Sequence, residues 1–186
     1  TELLTPNWLQ EMLGFAQRDD VGAVGAELFY PDNTIQHAGI IIGIGGVAGH
    51  VFKNLPKGIH GYFSKDAMIQ NLSAVTAACI MTPKSIYDEV GYMDEKFKVA
   101  FNDVDFCLKI RQTGKLIVYN PYVQFTHYES KSRGFEDTPE KKKRFQSEVD
   151  RFHDKWQSVL DKGDPYYNRN YRLDTDLPKI NYNKIW

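Results

Sequence analysis

No run in this 186-residue chain approaches the roughly 20 consecutive apolar residues of a membrane-crossing helix. Cysteine is scarce. Cys79 and Cys107 stand in apolar segments without metal-type spacing, which excludes a disulfide framework and a Cys-based zinc site. Both read as small buried hydrophobes of a reducing compartment. Charge of one sign is also missing: the net value is -1, with none of the basic excess of a nucleic-acid binder. The cluster Lys141-Lys142-Lys143-Arg144 reads as a solvated helix face. Gly43, Gly45, Gly46 and Gly49 have neither Gly-x-Gly-x-x-Gly spacing nor a Gly-Lys-Ser/Thr ending, so they are not a phosphate-binding loop. There is no internal repeat, no Ser/His/Asp nucleophile setting and no Cys beside a His. With no secretory leader in view, the sequon Asn71-Leu72-Ser73 carries no meaning and a cytoplasmic location is expected.

What is present is the composition of one globular domain, 42% hydrophobic and 25% charged, so a core of ordinary size can be buried. Eleven Tyr and eleven Phe supply flat apolar faces, useful to a core and equally to sugar or base recognition. Thr5-Pro6 followed by Leu9, Met12, Leu13 and Ala16 predicts a helix over Pro6–Arg18. Val21–Tyr30 and Thr34–Ile44 read as a hairpin around Pro31-Asp32-Asn33, and Ala48–Gln70 as a long irregular loop. The apolar run Ser73–Met81 predicts a strand buried on both faces, followed by a short helix Lys84–Val90 stopped by Gly91. A helix over Asn102–Thr113 ends at Gly114, and a strand Lys115–Thr126 is interrupted at Pro121. Thr138-Pro139 opens a helix Pro139–Lys162, whose stripe of Phe145, Val149, Phe152, Trp156, Val159 and Leu160 makes one apolar face. The tail after Gly163, rich in Tyr and ending at Trp186, is expected to lie extended against the body or a partner. The expected fold class is therefore α/β with α+β character: a mixed sheet, flanking helices and a long C-terminal amphipathic helix.

Asp103 and Asp105 lie two apart, about 200° around a helix, so both cannot serve one small site from mid-helix. Asp103 reads either as a helix-start acid, stabilised by free backbone N–H groups and the dipole, or as a general base. His127, at a strand end, reads either as a structural hydrogen-bonder or as a metal ligand, with Asp174-x-Asp176 the one other Asp pair of similar spacing. Ser132-Arg133 suits a phosphate, although a solvent-exposed Arg explains it as well.

In order and spacing, Asn71–Met81, Glu89–Phe97, Phe101–Gly114 and Pro121–His127 resemble the C-terminal half of family 2 glycosyltransferases, the inverting GT-A enzymes of bacterial surface polysaccharides. The His127–Gly134 and Gly163–Asn168 segments resemble its rhamnosyltransferase-like members, so the likeness covers most of the chain up to about Asn170. The resemblance implies that Asp103 is the catalytic base, with Asn102 standing where the family has Glu. It implies acceptor contacts at Asn102 and Asp105, a metal contact at His127, and diphosphate contacts at Ser132 and Arg133. Mn2+ or Mg2+ is the implied ion, and the implied partners are a nucleotide-sugar donor and a glycan or lipid-linked acceptor, with no nucleic acid. Peripheral association with the inner membrane face, and self-association through an exposed sheet edge or the tail, are further expectations. The family's nucleotide-binding half and its Asp-x-Asp are expected before Thr1. On that view the chain is an acceptor-side portion over residues 1–137, a helix over 138–163 and a tail over 164–186, inactive by itself. Two other readings stand beside it: a non-catalytic glycan- or protein-binding module, and an unrelated α+β domain whose tail serves assembly.

Overall fold

Two long strands, Val21–Phe29 and Leu116–Thr126, run parallel at the centre of the sheet and place everything else. The computed structural model describes residues 1–128 and 138–184. Along the chain come β1 (Glu2–Leu3), α1 (Trp8–Ala16), β2 (Val21–Phe29), β3 (Ile35–His37), β4 (Ile40–Ile42), β5 (Ala48–His50), β6 (Gln70–Leu72) and β7 (Ile80–Met81). Then follow α2 (Lys84–Glu89), α3 (Asn102–Gln112), β8 (Leu116–Thr126) and α4 (Pro139–Lys162), with 3-10 turns at Ile44–Gly46, Tyr62–Ala67 and Tyr182–Lys184. Short antiparallel strands flank the parallel pair: β6 and β1 along β8, β7 and β3 along β2. A separate hairpin joins β4 to β5. The mixed sheet with flanking helices is the α/β architecture expected from the sequence.

All nine residues of β2 are buried, as a central strand between two helical layers requires. On one face Val24, Ala26 and Leu28 meet Met12 and Ala16 of α1, together with Val118, Val123 and Phe125 of β8. On the other, Ala23, Phe29, Ile117 and Tyr119 join a larger core with α3 and, beyond it, Phe152 and Trp156 of α4. Two glycines in β2 let that second layer close in. A Cβ at Gly22 would stand 2.2 Å from Cγ2 of Ile110, and one at Gly25 would stand 2.4 Å from Cβ of Val75.

Several elements depart from the sequence reading. Thr5 does not cap α1; its hydroxyl donates to the Tyr122 carbonyl and accepts from Gln124 N–H, so the helix starts later, at Trp8. Leu9 and Leu13, expected on the buried face, are exposed, and Trp8, Met12, Phe15 and Ala16 face the core instead. The expected strand Thr34–Ile44 breaks at Gly39, where φ is 110° and Leu72 crowds the absent side chain, so it splits into β3 and β4. The predicted loop Ala48–Gln70 contains β5, and β6 begins at its last residue.

The largest departure is Ser73–Met81: only Ile80–Met81 is strand. The N–H groups of Thr76, Ala77 and Ala78 bond to the side chains of His37, Asp103 and Thr76 instead of to a neighbouring strand. The helix breaks at Gly91, Gly114 and Gly163 all have positive φ, as predicted, and α4 runs Pro139–Lys162 with the Thr138 hydroxyl capping Lys141 N–H at 3.3 Å. The tail lies on the body, with Gly45 N–H on the Leu173 carbonyl and Phe52 N–H on that of Asp176.

Candidate functional site at the ends of the parallel strands

The contacts of α3 form a ladder up β2. Ile110 lies over Gly22, Cys107 Sγ donates to the Val75 carbonyl above Gly25, and Asp103 takes Ala77 N–H next to Thr76, which bonds His37, the partner of Leu28. Thus α3 runs antiparallel to β2, and its first turn sits at the C-terminal end of the parallel pair. His127 emerges from β8 at that same end, its N–H donating to the Phe29 carbonyl at 2.8 Å. Topology alone brings the two sequence-predicted residues to one edge. In α/β sheets this is where ligands bind.

Asp103 is held by backbone. Its Oδ1 accepts Val104 N–H at 2.9 Å and its Oδ2 accepts Ala77 N–H at 3.2 Å. Phe101 before it adopts the left-handed region, φ 63°, and the Asn102 side-chain oxygen accepts Asp103 N–H at 2.8 Å. A carboxylate has about four acceptor positions, so two amide bonds leave this half-buried group able to accept a proton from a hydroxyl.

Asp105, expected as an acceptor contact, is fully buried in this chain, its side chain 0% exposed. Oδ1 accepts Trp156 Nε1–H at 2.8 Å and pairs with Lys155 Nζ at 2.6 Å, tying α3 to α4. Its Oδ2 lies 3.8 Å from Lys109 Nζ, too far for a hydrogen bond, and makes none among the described residues. The two aspartates therefore diverge, one toward the strand ends and one into the helix–helix seam, as the 200° separation requires.

Adjacent residues of β3 hold the two sides of the site. Gln36 Oε1 lies 2.8 Å from His127 Nδ1, so that nitrogen donates to it. The next residue, fully buried His37, accepts Thr76 N–H on Nε2 at 3.3 Å and stands 2.9 Å from His50 Nδ1 through its own Nδ1. Since Nε2 is an acceptor, Nδ1 of His37 carries the hydrogen and His50 accepts. Burial, and secondarily the facing His50, hold the His37 pKa well below its ordinary value. The chain Asp103–Ala77–Thr76–His37 thus continues along the backbone to Gln36 and His127.

Sequence reasoning missed Glu148. This buried α4 residue accepts the N–H groups of Val99 and Ala100, both at 3.0 Å, and so fixes the turn that leads into Asp103. A Glu beside the apolar stripe of α4, one turn before Phe152, was the available signal. Cys107 is inert packing, its thiol pushed up to about 12 by burial.

Ser132 and Arg133 lie outside the described residues. Among the described residues no three His, Cys, Asp or Glu side chains come together in a metal-holding group. No helix among them is long and apolar enough to cross a membrane.

No family profile and no solved structure matches the chain. It is similar to the uncharacterized protein y4gI of Sinorhizobium fredii, 49% identical over 174 residues, covering 93% of this chain and 19% of that protein. It is also similar to the O-antigen biosynthesis protein RfbC of Myxococcus xanthus, 36% identical over 180 residues, covering 92% of this chain and 13% of that protein. The chain thus spans only a small part of the length of either relative.

Proposed function

We propose that the chain is the acceptor-side part of an inverting, GT-A-type family 2 glycosyltransferase that works in polysaccharide synthesis. The observation that carries this reading is Asp103, a half-buried carboxylate pinned by two backbone N–H groups at the C-terminal end of the parallel strands. The similarity to the O-antigen biosynthesis protein of Myxococcus xanthus supports the substrate class.

In this reading Asp103 accepts the proton of an acceptor hydroxyl as that oxygen attacks the anomeric carbon of a nucleotide-sugar. The new glycosidic bond forms as the bond to the nucleoside diphosphate breaks. Attack from the opposite face inverts the anomeric configuration, and the proton stays on Asp103 until solvent removes it. The amides of Val104 and Ala77 keep the carboxylate aimed, which avoids reorganisation during the step. The donor, a glycan or lipid-linked acceptor and a location at the inner membrane face belong to the same proposal, as do diphosphate contacts from Ser132 and Arg133. A Mn2+ or Mg2+ ion would meet His127 only with ligands outside the described residues, and no step above depends on it.

The test is to incubate the complete product of the gene with a panel of labelled nucleotide-sugars and host cell-surface glycan. Acceptor-dependent release of nucleoside diphosphate with label incorporation supports the reading. Glycan binding without release from any donor assigns the chain to a binding module instead.

A further inference from the structure

A second cleft, of about 240 Å³, opens where β8 bulges. The register passes from Ala26↔Asn120 to Glu27↔Gln124, so Pro121, Tyr122 and Val123 bow out of the sheet and their loop forms one wall. The floor is acidic and almost closed: Glu27 is 5% exposed and Asp66 3%. A glutamate inside a strand of small apolar residues is costly, and burial raises its pKa to about 7. A group of that kind, set in a cleft, is a functional-site candidate.

The side chains around the floor are held in place. Gln124 Nε2 donates to Glu27 Oε2 at 2.8 Å, and Lys57 Nζ donates to Gln124 Oε1 at 3.1 Å while standing 4.4 Å above the Phe29 ring. Opposite, Asp66 receives Gly61 N–H at 2.7 Å and His60 Nδ1 at 3.0 Å, and the Tyr119 hydroxyl donates to the Asp66 carbonyl at 2.8 Å. Tyr122 stands at the rim, 60% exposed.

The chemistry selects the ligand. Two carboxyl groups face one ammonium and the His60 imidazole, which is already bonded to Asp66. The described residues therefore leave no free cation there to recruit phosphate, and they hold no three-ligand metal group. Carboxylate acceptors beside ammonium and amide donors match paired hydroxyls, which both donate and accept. The exposed Tyr122 ring offers a flat face to C–H groups. The volume falls below the roughly 300–1,000 Å³ of drug-sized ligand sites, which suits one sugar ring.

We propose that the cleft between Glu27, Asp66, Lys57 and Tyr122 binds one pyranose unit of a carbohydrate. In the proposed transferase it is a subsite for the acceptor glycan, away from the transferred group, and this assignment rests on that reading. None of Asn102, Asp103 and Ala77 lines it.

The test is amide NMR on the chain, titrated with methyl glycosides of glucose, galactose, mannose and rhamnose, and with inorganic phosphate. The expected result is saturable, millimolar shifts at Lys57, Gly61 and Gln124 with at least one glycoside. These weaken at least about tenfold in Tyr122→Ala, a rim change that spares the core, and in Glu27→Gln. No saturable shift with any glycoside overturns the proposal. So do shifts that survive both substitutions, and so does phosphate saturating the same amides. Asp103→Asn leaves the titration unchanged. If that variant also leaves glycosyl transfer unchanged, the transferase reading fails while the carbohydrate cleft stands.

Discussion

Trp156 Nε1 donates to Asp105 Oδ1 at 2.8 Å across a sequence separation of 51 residues, and this bond assigns the two aspartates of α3 to different tasks. Asp105 secures α3 against α4 while Asp103, two residues earlier, faces the strand ends. Replacing Asp105 with Ala leaves the buried indole without its acceptor and Lys155 with Asp94 alone, 3.3 Å away. We expect a loss of about 3 kcal/mol, and about 1–2 kcal/mol for Trp156→Phe, which removes only the neutral donor. Chemical denaturation of both variants and the double variant checks this, with a coupling energy above about 0.5 kcal/mol expected for residues in contact.

Glu148 aims rather than reacts. Glu148→Ala strips the acceptor from two amides next to the first turn of α3 and costs about 2 kcal/mol or more. In transfer assays kcat should fall more than KM rises, because the turn positions the base rather than the acceptor. Amide exchange should accelerate at Val99 and Ala100, and unchanged exchange there would remove the positioning role.

Glu27 should make the fold less stable as pH rises. Its folded pKa is raised from 4.5 to about 7, chiefly by burial, with nearby Asp66 adding to the rise and Gln124, Lys57 and Tyr119 opposing it. The folded state therefore binds the proton more tightly than the unfolded chain. That contribution is complete below about pH 4.5 and is lost as pH rises through about 7, a span on the order of 3 kcal/mol. Glu27→Gln should flatten this part of the stability profile and stabilise the fold above pH 7, as read by thermal melts across pH.

His37 acts in the opposite sense. Its pKa is lowered in the fold, so the unfolded chain binds the proton more readily. Its contribution is present above the ordinary value of 6.5 and is lost as pH falls below it. Protonation would also set an N–H against Thr76 N–H. His37→Asn should lower stability at pH 8 and remove this acid-side loss, whereas a parallel profile would mean that another group titrates.

Much of the scaffold was legible because periodicity and glycine are local signals. The stripe from Phe145 to Leu160 and Gly163 beyond it delimit α4, and Gly91 and Gly114 mark two other stops. Ser73–Cys79 has the apolar composition of a buried strand and is not one, because its amides are satisfied in part by side chains far along the chain, His37 and Asp103. The enclosure of Asp105 depends on Trp156, and the fixed turn at Val99 and Ala100 on Glu148. Neither dependence shows in a local window. Glu27 did leave a trace, an acid among apolar neighbours, and Glu148 stands beside the apolar stripe of α4.

The most direct measurement of the central claim compares Asp103→Asn with Asp105→Asn in the complete gene product, following both glycosyl transfer and melting temperature. Asn at 103 keeps one oxygen for Ala77 N–H. Its –NH2 then faces Val104 N–H, so the account predicts transfer reduced by about 10²–10⁴-fold with a melting temperature lowered less than by Asp105→Asn. For Asp105→Asn it predicts a lowered melting temperature, with transfer by the folded fraction largely retained. Near-normal transfer by Asp103→Asn would contradict the account.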